Sequence, residues 1–437
     1  MFEVEEWLHS RIGLNFRSGL SRMQQAVDLL GNPEMSYPII HVTGTNGKGS
    51  TIAFMRELFM GHGKKVATFT SPHIVSINDR ICINGQPIAD SDFIRLAEQV
   101  REMEKTLLQT HDQLSFFELL TLIAFLYFRE QEVDLVLLEV GIGGLLDTTN
   151  VVIGEIAVIT SIGLDHQETL GDSIAAIAEQ KAGIIKQGIP LVTGRIAPEA
   201  LAVIDRIAED KNAPRLAYGA DYQISHQKSV VTGEVFDYTS VVRQGRFQTG
   251  LLGLHQIENA GMAIALLDNF CQEDGRELPA NTLLAQALEE TRWPGRLEVV
   301  SREPLMILDG AHNPHAIKAL LATLQERFAD YRKEILFTCI KTKALEDMLD
   351  LLGAMPDTEL TLTHFDDSRA TDENVLKEAA KSRNLSYQGW QDFLEQKLTD
   401  KKEEKQTVRI VTGSLYFLSQ VRAYLMERKN ENGYTKD

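Results

Sequence analysis

The sequence predicts an α/β fold in two parts, a mostly parallel N-terminal sheet followed by a smaller C-terminal α/β unit. Three observations predict it. Short β-branched runs alternate with longer helical patterns along the chain. Several of those runs are apolar at every position, as strands covered on both faces require. The alternation also restarts after "TRWPGRLEVV", which sets a boundary between Arg296 and Leu297 and divides the chain into residues 1–296 and 297–437.

In chain order, "PIIHV" is a buried-strand run, and "STIAFMRELFMGHG" behind it is a helix closed by Gly61 or Gly63. "VATFT" is the next strand. Ser91 is the expected cap of "DFIRLAEQVREMEKTLL", where Ile94, Ala97, Val100, Met103 and Leu107 form one helical stripe. "LVLLEV" and "IAVITSI" are further apolar strands. Residues 218–250 are strand-like and polar, a local excursion. In the second part "LMILDG", "EILFTCI", "ELTLT" and "VRIVTG" alternate with helical segments such as "PHAIKALLATLQERF", and "DKKEEK" reads as a solvated loop.

A chain of 437 residues suits two or three domains. Hydrophobic residues at 43% and charged residues at 24% are globular values. The net charge of −18 disfavours non-specific binding to nucleic acid or an anionic membrane, so neither is expected as a partner. The start, "MFEVEEWLHS", is acidic and lacks the apolar core of a secretory signal, and "LLTLIAFLYF" is too short to span a bilayer. Cys82, Cys271 and Cys339 are scattered without metal spacing. A reduced, cytoplasmic protein is expected, with a monomer as the default.

The stretch "HVTGTNGKGS" has the parts of a phosphate-binding loop but not the Walker spacing, since only Thr45 and Asn46 separate Gly44 from Gly47, and Gly49 follows Lys48. Its glycines let backbone N–H groups converge on an oxygen, the helix beginning near Ser50 aims its positive end there, and Lys48 adds a full charge. The plainer alternative is a Gly-rich strand-to-helix turn. On this loop the fold class sharpens to an N-terminal P-loop-type sheet domain with a smaller Rossmann-like domain after it.

Ligands of open α/β sheets bind outside the carboxyl ends of strands. Those ends carry, in order, Gly44–Ser50, then Ser71-Pro72-His73, then Glu139, then Asp165-His166, so four strands deliver polar groups to one rim. Singly, each has an ordinary reading: a turn for Ser71, a surface acid for Glu139, a loop histidine for His166. Lys181 in "AAIAEQKAGIIK" is by default a solvated helix lysine, and otherwise points into a metal pocket, modified to an anionic ligand. "LDGAHNP" sets Asp309, His312 and Asn313 after a strand of the second part, and "VTGSLYF" does the same for Ser414. If those loops face the first rim, the chemistry lies in the cleft between domains.

Taken together, "HVTGTNGKGS", "TSPH", "LLEVGIGG", "SIGLDH", "EQKAGIIK", "WPGRLE", "LDGAHNP" and "TGSLYF" closely resemble folylpolyglutamate synthase, often joined in function with dihydrofolate synthase, within the Mur ligase superfamily. The match runs in order from "GLSRMQQAVDLLGNP" to "TGSLYF". The resemblance implies ATP-driven amide formation: a pterin-linked carboxylate is phosphorylated, and the amine of L-glutamate attacks the acyl phosphate. A reduced folate, or dihydropteroate, is the implied acceptor.

Residue by residue, the resemblance makes Gly44, Thr45, Asn46, Gly47, Lys48, Gly49 and Ser50 the ATP-phosphate loop. Ser71, Glu139 and His166 become magnesium ligands, with a second magnesium or a monovalent cation compatible. It makes Lys181 a carboxylated lysine and Asn259, Arg296 and Asp309 further ATP contacts. His312 and Ser414 fall near the incoming glutamate, and Ser115, Phe116, Leu146, Asp147 and Thr148 on the pterin side. Two departures bear on substrate preference. Leu145 stands where the family commonly has Arg, and "CIKTKAL" replaces an Asp-Lys-Asp, leaving Lys341 and Lys343 in a changed context.

Two other readings compete. A superfamily ligase acting on a cell-wall nucleotide would carry an extra domain before the loop, where this sequence has about one helical hairpin. A nucleotide-binding regulatory ATPase would leave "LDGAHNP" and "TGSLYF" without a task.

Overall fold

The computed structural model describes residues 2–14, 19–73, 75–273, 275–341, 343–399 and 406–431. The first sheet contains β1 (Ile39–Thr43), β2 (Val66–Phe69), β3 (Ile81–Ile83), β4 (Gln86–Pro87), β5 (Leu135–Glu139), β6 (Ile156–Ile159), β7 (Leu191–Thr193) and β8 (Arg215–Ala217), in the order β4-β3-β2-β5-β1-β6-β7-β8. From β2 to β8 every pairing is parallel, and only β3 and β4 run antiparallel at one edge. The edge pair was not foreseen, because its residues are too few to show a period.

The all-apolar strands are buried on both faces. Along β5, Leu135 and Leu137 pack with the helix Lys48–Gly61, while Val136 and Leu138 pack with the helices Asp90–Leu107 and Phe116–Glu130. The expected stripe of Asp90–Leu107 is the packed one, with Ala97, Val100, Met103 and Leu107 buried. Its cap, however, is Ala89 rather than Ser91, which lies within the first turn. Asp90 and Asp92 there supply the negative charge that complements the helix N-terminus.

The excursion forms a separate antiparallel meander of β9 (Tyr222–Val230), β10 (Gly233–Ser240) and β11 (Gln244–Gln248). Tyr222, Phe236, Tyr238 and Phe247 bury themselves against the helix His255–Glu273. The far end of β9–β10 is gripped by Arg327, which donates to the carbonyls of Val230, Val231 and Gly233 and, at 2.8 Å, to the buried Glu234 carboxylate.

The second sheet contains β12 (Glu298–Arg302), β13 (Leu305–Asp309), β14 (Arg332–Phe337), β15 (Thr358–Leu362), β16 (Ser386–Tyr387) and β17 (Thr407–Thr412), in the order β12-β13-β17-β14-β15-β16. All its pairings are parallel except β12 with β13. Ile307, Ile335 and Ile410 pack under the helices Pro314–Arg327 and Leu345–Gly353, and Met306, Leu336 and Val411 pack against Leu415–Glu431 on the other face. "DKKEEK" lies outside the described residues. Among the described residues no helix is long and apolar enough to cross a membrane, and the three cysteines are buried and form no disulfide with one another.

Candidate functional site

Strands β2, β5, β1 and β6 lie side by side, so their carboxyl ends form one continuous rim. β1 lies at the switch point of the sheet, with β5 on one side and β6 on the other, the place where open α/β sheets have their ligand crevice. The Gly44–Ser50 loop leaves β1 at that crevice.

Backbone geometry explains the glycines. Gly44 has φ +151°, and a Cβ there would lie 1.9 Å from Thr160 Oγ1. Gly47 has φ +85°, caps the helix from Lys48, and leaves no room for a Cβ beside Asn259 Oδ1 at 2.6 Å. The first half of the loop is committed to the neighbouring strand. Thr45 N–H bonds Ser161 O (2.8 Å), Asn46 N–H bonds Ser161 Oγ (3.0 Å), and Thr160 Oγ1 donates to Asn46 O (2.6 Å). The helix makes its first bond from Thr51 N–H to Gly47 O (2.9 Å), which leaves the amides of Lys48, Gly49 and Ser50 without intrahelical acceptors. The loop therefore divides: Gly44 to Asn46 fix its path, and Gly47 to Ser50 present donors. Lys48 Nζ rests on Gly44 O at 3.0 Å.

Of the other rim groups, Ser71 and Glu139 meet directly, with Ser71 N–H donating to Glu139 Oε2 at 2.9 Å. Glu139 is buried. Burial pushes its pKa up, against the pull of Lys48, the Ser71 amide, Arg296 and Arg80. His166 adopts a left-handed backbone at the start of the short helix Gln167–Leu170. Burial and Lys343 hold its pKa down near about 4, with smaller contributions from Lys48 and Lys181. The ring is thus neutral at physiological pH, with a lone pair to offer. Lys48 influences both Glu139 and His166, so its ammonium lies within electrostatic reach of both.

The solvated-lysine reading of Lys181 does not hold. The side chain is 4% exposed on the helix Ile174–Ala182, and burial, then Lys48, lower its pKa to about 7. A large neutral fraction makes it a nucleophile toward CO2.

The second sheet brings its own strand ends to the same place. Asn313 Nδ2 donates to Asp165 Oδ2 (3.0 Å) and Asn46 Oδ1 (3.3 Å), and Asn46 Nδ2 meets His315 Nδ1 at 2.7 Å. Lys343 Nζ pairs with Asp165 Oδ1. His312 Nδ1 donates to Gly310 O at 2.7 Å, so Nε2 carries the lone pair, and burial with Lys343 lowers the ring's pKa to about 4. Asp309 accepts from Leu297 N–H (2.9 Å) and Ala311 N–H (3.0 Å), bracing the connection between the sheets. Arg296 lies within electrostatic reach of both Glu139 and Asp309. Asn259 Oδ1 faces Gly47 and accepts from Thr51 Oγ1 at 3.4 Å. Ser414 is buried at the head of the helix Leu415–Glu431, where its Oγ accepts from Phe417 N–H at 3.5 Å.

Some residues expected on the pterin side have structural tasks. Ser115 forms a capping box with Glu118 at the head of Phe116–Glu130. Asp147 is buried and takes the amides of Thr149 (3.0 Å) and Ile142 (2.9 Å), which shapes its own loop. Thr148 opens the short 3₁₀ turn that Asp147 caps. Phe116 and Leu146 are half-buried, and the Phe116 ring stacks on His9. Leu145 N–H bonds Gln180 O at 2.7 Å, holding this loop against the helix that carries Lys181, while its side chain is exposed.

The sequence reading missed the Thr160-Ser161 clamp, the Lys343–Asp165 pair and the buried Arg80. Thr-Ser directly after an apolar strand is a signal for the first, whereas the other two depend on tertiary placement. The His226, Glu234 and Glu326 side chains also gather, at the meander, but Arg327 already pairs with Glu234 and opposes a cation there.

Residues 42–267 match the Mur ligase middle domain and residues 295–415 the Mur ligase glutamate ligase domain. The chain is 38% identical over 426 residues to a dihydrofolate synthase/folylpolyglutamate synthase of Bacillus subtilis, covering 97% of this chain and 98% of that one. It is similar in structure to Mycobacterium tuberculosis folylpolyglutamate synthase complexed with ADP and AMPPCP, at TM-score 0.87 and 30% identity over 97% and 98% of the two chains. It is also similar to an FPGS-AMPPCP-folate complex, at TM-score 0.82 and 32% identity over 97% and 99%.

Proposed function

Because the chain belongs to the folylpolyglutamate synthase and dihydrofolate synthase family of Mur ligases, we propose that it uses ATP to join L-glutamate to a reduced folate through an acyl phosphate, and that dihydropteroate is also an acceptor. The observation that carries this reading is the meeting of two sets of strand ends. The Gly47–Ser50 amides and Lys48 come from one sheet, and His312, Asn313 and Lys343 from the other.

A carboxylate is a poor electrophile and must be activated. In this reading the Gly47–Ser50 amides and Lys48 hold the terminal phosphates of ATP and stabilise the charge that spreads over the transferred phosphoryl group. Asn259, Arg296 and Asp309 hold the rest of the nucleotide. An acceptor carboxylate oxygen bonds to the γ-phosphorus as the bond to the bridging oxygen breaks and ADP departs. The amine of glutamate then attacks the acyl carbon, and phosphate leaves with the bonding electrons. His312, neutral with its Nε2 lone pair free, is suited to take the amine's proton, with Ser414 beside the amino acid.

Glu139 fits a magnesium ion: it is a buried carboxylate that takes one amide hydrogen bond, from Ser71, and its burial outweighs that bond and the cations around it. Ser71 and His166 complete the expected ligand set, and when bound the ion neutralises phosphate oxygens. Lys181, as a carbamate, would add an anion to the same pocket. Phe116, Leu146 and Thr148 line the pterin side, with Ser115 and Asp147 holding their loops in place.

The test is incubation with ATP, L-glutamate and either 7,8-dihydropteroate or tetrahydrofolate under identical conditions. ADP and a glutamylated product must form together in equal amounts. ATP consumption without product would overturn the reading, and turnover of tetrahydrofolate alone would remove the dihydrofolate synthase activity from it.

A further inference from the structure

Arg80 has no task in the chemistry above, yet it stands where three parts of the site meet. It is 6% exposed. Its Nε donates to His73 Nδ1 at 3.0 Å, and its guanidinium lies 5.6 Å from the centre of the Phe116 ring. The Arg80 carbonyl takes the Thr70 amide at 3.0 Å, which fastens the residue to the strand end that leads into Ser71. Glu139, bonded to the Ser71 amide, lies within its electrostatic reach. From the second sheet's side comes Arg369, stacked 3.5 Å over Tyr416 and likewise within reach.

A buried guanidinium ordinarily has a carboxylate beside it. Among the described residues none is within ion-pair distance of Arg80, and the side chain that accepts from it, His73, is a neutral imidazole. Burial, the largest influence, draws its pKa down to about 10. With Nε spent on His73, the two Nη groups remain as a fork matched to a carboxylate. On one side Arg80 borders Phe116, a residue of the expected pterin side, and on the other Glu139 adjoins the phosphate loop. The ligand group that must reach both is the acid to be activated.

Resting on the ligase reading above, we propose that Arg80 receives the carboxylate of the acceptor molecule and presents its oxygen to the phosphate loop. Arg80 is then a specificity residue for the acceptor, separate from the nucleotide contacts and from the groups placed near glutamate.

The experiment compares wild type, Arg80→Met and Arg80→Lys. In the Met variant kcat/KM for the acceptor falls about 100-fold, and Lys recovers part of it. Affinity for a non-hydrolysable ATP analogue stays within about 2-fold in both, which also reports an intact fold. Binding is then measured for dihydropteroate and for its carboxamide, with the ATP analogue and magnesium present. Wild type prefers the acid by at least about 10-fold, and Arg80→Met binds the two alike. A Met variant that keeps the preference for the acid, or whose defect falls on the KM for glutamate alone, overturns the assignment. The binding comparison needs no turnover, so it decides the role of Arg80 even if the wild-type assay fails the ligase reading.

Discussion

Lys343 and Asp165 form a buried ion pair between the two sheets, with side chains only 6% and 9% exposed. Asp165 also accepts from Asn313 Nδ2 and from the His166 amide at 2.9 Å, so one carboxylate ties the second sheet to the candidate magnesium side of the first. Burial alone would raise its pKa, but Lys343, helped by His166 and His312, holds it well below the usual carboxylate range.

Removing the cation strands that carboxylate. Lys343→Met is expected to cost about 3 kcal/mol of stability at pH 7, measured by urea unfolding. Because the folded pKa of Asp165 is depressed, its contribution is fully present above about pH 4 and is lost as pH falls through the folded value. The difference between wild type and Lys343→Met should therefore shrink on acidification. A constant difference from pH 7 to pH 3 would show that the pair does not supply it.

Gly47→Ala places a Cβ against Asn259 Oδ1 and forces a residue with a side chain to φ +85°. The expected result is a stability loss of about 1 kcal/mol and nucleotide affinity weakened at least about 10-fold, read by calorimetric titration. Affinity unchanged by the substitution would remove the loop from nucleotide binding.

Lys48→Ala keeps the helix start but deletes the charge beside Gly44 O. Turnover is expected to fall by a factor of about 1,000 or more, with the circular dichroism spectrum unaltered. Near-normal product formation by this variant would exclude Lys48 from phosphoryl transfer.

Lys181 titrates near about 7, mainly through burial and then Lys48. Its neutral amine, abundant at pH 8 and scarce at pH 6, is the form that adds CO2. After CO2 is stripped, bicarbonate should restore activity strongly at pH 8 and weakly at pH 6. Lys181→Ala should be severely impaired and regain part of its rate with formate or acetate, and full activity without them would rule out the carbamate. The stability sign follows from the same shift. The unfolded lysine holds its proton to about pH 10.4 and the folded one releases it near 7, so stability from this group rises with pH across that window.

The parallel strands were legible because burial on both faces leaves apolar residues at every position, as in Leu135–Leu138 and Ile156–Ile159. The rim position of Gly44–Ser50, Ser71 and Glu139 followed from those strands, since they fall where the apolar runs stop, while His166 lies a loop beyond β6. Side-chain duties were less legible. Ser115 and Asp147 spend their oxygens on local amides, a role that neighbouring residues decide. Lys343 and Asp165 are 178 residues apart, and no local pattern announces that they meet. Arg80 closes a short 3₁₀ turn just before β3, with no periodicity to flag it. Ser91 failed as a cap because the chain turns helical two residues sooner, at Asp90 rather than Asp92.

The Arg327 strap has a mechanical consequence. The two lobes are not joined by the peptide at 296–297 alone, for the guanidinium hooks three carbonyls of the meander from the opposite side. Any swing that leaves those hooks fastened must drag β10 along, and β10 is embedded through Phe236 and Tyr238 in the helix that sets Asn259 against Gly47. A tug on a hairpin at the periphery is thereby transmitted, like a lever on its fulcrum, to the turn proposed above to hold the nucleotide.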